Sequence, residues 1–125
     1  MTNRPTYKEL DGKIRQARDL VSRGRVSFVS QEIISMDAEA LGFSSGEEMA
    51  EVLSALLGEI LPEHYAGANP PQRSYEERIR GSELFAFRLE FSRFGRMIYL
   101  KFALVHETLW VVSLHPDRPL DGERP

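Results

Sequence analysis

The spacing of apolar residues changes once along this chain, and the change sets the class of fold. Before residue 62 the apolar residues recur at every third and fourth position; from Leu84 onward they recur at every second. The first spacing belongs to amphipathic helices and the second to half-buried strands. An α+β domain follows, with about three N-terminal helices expected to pack on one face of a mainly antiparallel sheet of three or more strands.

The helical half spans residues 7–61. Tyr7, Leu10, Ile14, Ala17 and Val21 form the apolar stripe of a first helix, and Gly24 stands where a C-cap belongs. Val26-Ser27-Phe28 reads as a very short strand. A second helix is expected over residues 30–41, closed by Gly42. Ser44-Ser45-Gly46-Glu47-Glu48 carries the Ser-x-x-Glu capping signature twice, with its acids at the positive end of a helix dipole. Met49, Val52, Leu53, Leu56, Leu57 and Ile60 then give a third helix with a wide apolar face.

Residues 62–83 follow no period and are punctuated by Pro62, Gly67, Pro70, Pro71 and Gly81. Long connections of this kind inside compact domains are often functional. Strands are expected over 84–92, 97–105 and 108–116, joined by a turn at Arg93-Phe94-Gly95 and a tight loop at His106-Glu107. Alternation places Phe85, Phe87, Leu89 and Phe91 on the core face, with Ile98, Leu100, Phe102 and Leu104, and with Trp110, Val112 and Leu114. Residues 117–125 read as a polar tail that frays. With 125 residues and 42% hydrophobic content, the chain suits a single domain with a real core.

The opposite face then displays Arg88 and Glu90, Tyr99, Lys101 and Ala103, and Leu109, Val111, Ser113 and His115. Neighbouring strands bring such residues within side-chain reach. Cleavage of RNA without a metal needs a base for the 2′-hydroxyl, an acid for the leaving 5′-oxygen and a cation for the phosphate. Histidine is the side chain whose ordinary pKa lies nearest neutrality, so His115 suits the base or the acid. Arg88 and Lys101 suit the phosphate, and Tyr99 suits stacking on a base or donating a proton. The same residue types also suit a solvated strand face.

Net charge is −3, but residues 73–101 hold seven basic residues (Arg73, Arg78, Arg80, Arg88, Arg93, Arg96, Lys101) against four acidic (Glu76, Glu77, Glu83, Glu90). That local +3 leaves −6 on the remainder. A cationic patch on an acidic body fits a small anionic target, single-stranded RNA or an acidic partner, and makes Arg73, Arg93 and Arg96 candidate substrate-binding residues. The chain has no cysteine, which excludes disulfides and thiolate metal sites and favours an intracellular setting. His64, His106 and His115 are not at metal-ligand spacing, so neither metal nor cofactor is expected. No apolar run suggests a signal peptide or a membrane span, and a cytoplasmic location is expected.

Met97-Ile98-Tyr99-Leu100-Lys101, then Val105-His106, then Leu109-Trp110-Val111-Val112-Ser113 resembles the end of the MqsR family, among the RelE-like ribonuclease toxins. Ala17-Arg18-Asp19-Leu20-Val21 leading to Gly24-Arg25-Val26, and Ala38-Glu39-Ala40-Leu41-Gly42, are similar to that family's N-terminal half. The resemblance implies a RelE-like fold and the toxin half of a type II toxin–antitoxin system: a metal-independent endoribonuclease that cleaves mRNA and is neutralised by a separately encoded antitoxin. The family's active tyrosine falls on Tyr99, the strand lysine on Lys101, the glutamine of the preceding strand near Arg88, and the C-terminal lysine on His115. The alternative expectation is a non-catalytic RelE-fold module that binds a protein or nucleic-acid partner through the same face.

Overall fold

A computed structural model describes residues 4–43 and 47–117. In chain order it contains α1 (Tyr7–Ser22), β1 (Val26–Phe28), α2 (Gln31–Leu41), α3 (Glu47–Glu59), two 3-10 turns (Pro62–His64 and Glu77–Ile79), β2 (Phe85–Phe91), β3 (Arg96–Val105) and β4 (Thr108–Pro116). The expected α+β division holds. Residues 44–46 of the 44–48 capping signature and the tail beyond residue 117 lie outside the described residues.

Local chemistry explains the helix ends. Thr6 caps α1 by accepting the Glu9 N–H at 3.0 Å, and Ser30 caps α2 by accepting the Ile33 N–H at 3.2 Å. At the other end of α1, Arg25 N–H reaches the Leu20 carbonyl at 2.8 Å and Gly24 N–H reaches Val21 at 3.0 Å. This crossing pair requires a left-handed residue between helix and exit, which Gly24 supplies at φ 72°. Gly42 does the same after α2 at φ 89°.

The four strands form one mixed sheet in the order β1-β4-β3-β2. β2, β3 and β4 are antiparallel neighbours, as short turns allow. β1 pairs parallel to β4, matching Val26 with Leu109 and Phe28 with Val111. Side chains from α1, α2 and α3 and from β2, β3 and β4 form one core, including Leu20, Ile34, Leu53, Phe87 and Phe102. Phe87 and Phe102 stack with ring centroids 5.8 Å apart. The apolar residues read from the sequence as the face of the third helix, Met49 through Ile60, are all buried.

β4 departs from simple alternation. Lys101 pairs with Ser113, but the next residue, Phe102, pairs with Val111, so Val112 is an extra residue in β4. Such a bulge inverts the faces on either side of it. Leu109 and Val111, expected on the polar face, are instead fully buried in the main core. Trp110 and Val112, expected in that core, pack in a second cluster around Ile79, Leu84 and Ala103. Past the bulge the expected faces return: Leu114 is in the core.

The second cluster shows what the connection does. Ile79 from the 3-10 turn, with Leu84, covers the end of the sheet face that carries Ala103 and Trp110. Further back, Ala66 N–H bonds the Ala86 carbonyl at 2.8 Å and Tyr65 bridges Phe87, closing the outer edge of β2. Among the described residues, no helix is long and apolar enough to cross a membrane.

Candidate functional site

The connection covers one end of this sheet face, and the other end carries a row of polar side chains. Arg88 lies directly across from Tyr99, and Tyr99 directly across from His115, so β2, β3 and β4 each contribute one residue to the row. One pair further along, Lys101 sits between Ala86 and Ser113. Three of the four residues expected to be catalytic thus form a single transverse line, and Lys101 adjoins it two residues along β3 from Tyr99.

The Tyr99 and His115 rings stack at 5.2 Å with their planes 24° apart. The Arg88 guanidinium carbon lies 5.8 Å from the centre of the Tyr99 ring. Arg88 also forms an ion pair with Asp117, with Nε 2.9 Å from Oδ1. A partly exposed cation–π contact is worth about 0.5–1 kcal/mol, and an exposed ion pair about 0.2–1 kcal/mol. These contacts orient the guanidinium without locking it. Arginine favours a forked geometry towards phosphate, and the partly exposed Arg88 is placed to offer it.

His115 Nδ1 lies 2.8 Å from the carbonyl oxygen of Pro116. A carbonyl only accepts, so this contact calls for the proton on Nδ1 and leaves Nε2 of the neutral ring with a lone pair. Burial pushes the Tyr99 phenol above its ordinary pKa; Asp117 adds to the rise and Arg88 opposes it. The phenol therefore keeps its proton through neutral pH. Lys101 is half-buried and makes no ion pair among the described residues. The row thus offers a potential proton acceptor, a proton donor and two cations on one surface.

The three arginines expected to bind substrate are not brought to the row. Arg93, in the β2–β3 turn, pairs with Glu51 of α3 at 3.7 Å. Arg96 is exposed opposite Phe91, and alternation puts it on the Ile98 face. Arg73 works inside the connection, where Nη1 donates to the Gly81 carbonyl at 2.7 Å. The other two histidines are elsewhere: His64 Nδ1 accepts the Leu61 N–H at 3.0 Å, and His106 is in the β3–β4 turn. Among the described residues no group of three or more histidines and carboxylates is placed to hold a metal ion.

The chain matches no known family model, and no curated protein is significantly similar to it. The site is therefore read from its own chemistry. Asp117, the first residue of the expected polar tail, joins the row as well: it follows His115 by two and so shares its face, and its N–H bonds the Met97 carbonyl at 2.9 Å, extending the ladder by one step.

Proposed function

We propose that this protein is a metal-independent endoribonuclease that cleaves mRNA and acts as the toxin of a toxin–antitoxin pair with a RelE-like arrangement of helices and sheet. The observation that carries the reading is the Arg88–Tyr99–His115 line with Lys101 beside it. The resemblance of the β3 and β4 segments to MqsR-like toxins points the same way. In this mechanism His115 Nε2 takes the proton of the 2′-hydroxyl as that oxygen bonds to phosphorus. The bond from phosphorus to the 5′-oxygen breaks, and the Tyr99 phenol supplies the proton that the leaving oxygen needs. Arg88 and Lys101 balance the charge that builds on the phosphate in between.

Induced expression in bacteria, scored for growth and RNA integrity, tests the proposal. Wild type should arrest growth with loss of mRNA. His115→Ala and Tyr99→Phe should lower cleavage about 10²- to 10⁴-fold, and Lys101→Ala about 10²- to 10³-fold. Normal growth and intact RNA in cells holding folded wild-type protein would sink the reading. The second reading, a non-catalytic binding module on the same face, draws on the Arg88–Asp117 ion pair, which a solvated or protein-binding surface accommodates equally well.

A further inference from the structure

Residues 75–80, at the tip of the long connection, form a loop closed by its own hydrogen bonds. Ser74 N–H bonds the Ser82 carbonyl and Gly81 N–H bonds the Ser74 carbonyl, both at 2.9 Å, so the two ends are tied together. Ser74 Oγ accepts the Glu76 N–H at 3.0 Å, Ile79 N–H reaches Glu76 at 3.1 Å and Ser82 N–H reaches Ile79 at 3.0 Å. Arg73 adds its bond to the Gly81 carbonyl. Ile79 is the plug that fastens this frame to Trp110, Val112 and Ala103. A loop ordered by so many bonds has already lost the entropy that a ligand would otherwise have to remove.

The frame holds an aromatic ring in solvent. Tyr75 is 84% exposed, more than any other large hydrophobic side chain of the described residues. Arg78 and Arg80, on either side of the buried Ile79, are exposed as well. Neither makes an ion pair among the described residues, despite Glu76 and Glu77 nearby in the chain. Ala103, beneath Ile79, is on the same face of β3 as Lys101 and Tyr99. At ~3.3 Å per residue the loop's anchor is about 13 Å along the strand from Tyr99, a distance that one short extended nucleic-acid strand spans.

We propose that the 75–80 loop is a contact surface for single-stranded RNA, with Tyr75 stacking on an unpaired base and Arg78 and Arg80 meeting the adjoining phosphates. An exposed aromatic ring flanked by unpaired guanidinium groups is the combination that seats single strands. A duplex keeps its bases stacked inside and offers Tyr75 no partner. The choice of RNA rests on the ribonuclease reading; the geometry of the loop does not. In that setting the loop would grip nucleotides to one side of the bond that the Arg88–Tyr99–His115 line attacks.

The test is fluorescence anisotropy with a short, labelled, single-stranded RNA methylated at every 2′-oxygen, which blocks cleavage, beside a duplex of the same sequence. Tyr75→Ala should weaken single-strand binding about 5- to 150-fold, while Tyr75→Trp retains it. Arg78→Gln with Arg80→Gln should weaken binding and reduce the dependence of log affinity on log salt by about 1.4. All these side chains are exposed, so folding is not at stake. Wild-type protein that fails to bind the single strand, or variants that bind it as wild type does, would overturn the proposal, as would a loss shared equally by the duplex. Unmethylated RNA separates the two readings. Cleavage that is indifferent to the loop variants defeats the loop and keeps the ribonuclease; loop-dependent binding without cleavage does the reverse.

Discussion

Tyr99 has a cation on one side and a stacked imidazole on the other, with Asp117 reaching over to the cation. Its titration therefore reports the row directly. Burial is the main reason its phenol is raised, Arg88 lowers it and Asp117 raises it. Arg88→Gln should push the Tyr99 pKa higher still and Asp117→Asn should bring it down, as followed by the Tyr99 ring resonance between neutral pH and about pH 12. Shifts in the same direction for both variants would show that the row is not assembled as described. At this scale the sequence was readable where charge and face agreed, as at Arg88, Tyr99, Lys101 and His115. It misled where charge was counted without regard to face. Arg93 and Arg96 belong to the cationic stretch by position alone, and one is spent on Glu51 while the other lies on the Ile98 side.

Among the elements, β2 and β3 were legible because one set of alternate residues is apolar and the other charged or polar. β4 was not, because Leu109, Trp110, Val111 and Val112 are apolar in succession and a period of two has no phase there. The short β1 could be suspected, but its parallel pairing with β4 is non-local and leaves no local signal. The β3–β4 turn offers a test of how these strands are joined. His106 and Glu107 both have left-handed backbone angles, φ 51° and 55°, as a two-residue type I′ hairpin requires. Each non-glycine residue in that region carries a cost of roughly 1–2 kcal/mol, partly offset for glycine by its extra freedom when unfolded. His106→Asn with Glu107→Gly should therefore stabilise the protein by about 1 kcal/mol, seen as a higher Tm. The Glu107 carbonyl that accepts Arg25 Nε at 3.1 Å survives the change. A lower Tm would mean the turn is held by side chains and not by backbone shape.

Across the whole molecule, a strap of charge joins the start of the chain to the end of the connection: Arg4 meets Glu9 of α1 and Glu83 just before β2. Its hydrogen bonds hold both carboxyls below their ordinary range. The stability it gives is complete above the unfolded glutamate pKa of about 4.3 and disappears as pH falls through the lower folded values. Arg4→Ala should accordingly lower Tm at pH 7, with the gap from wild type closing below about pH 4; a gap unchanged across that range would remove the strap from the account. The bulge at Val112 has a reach of the same order. With strict alternation through β4, the side of the strand that buries Leu109 and Val111 would also have to bury Ser113 and His115, while Leu114 turned outward. One strand would then be asked for an apolar half and a polar half on a single phase. The one unpaired residue is a phase slip that lets β4 answer to two masters, so the core and the polar row can be altered on either side of it without each dragging the other through the sheet.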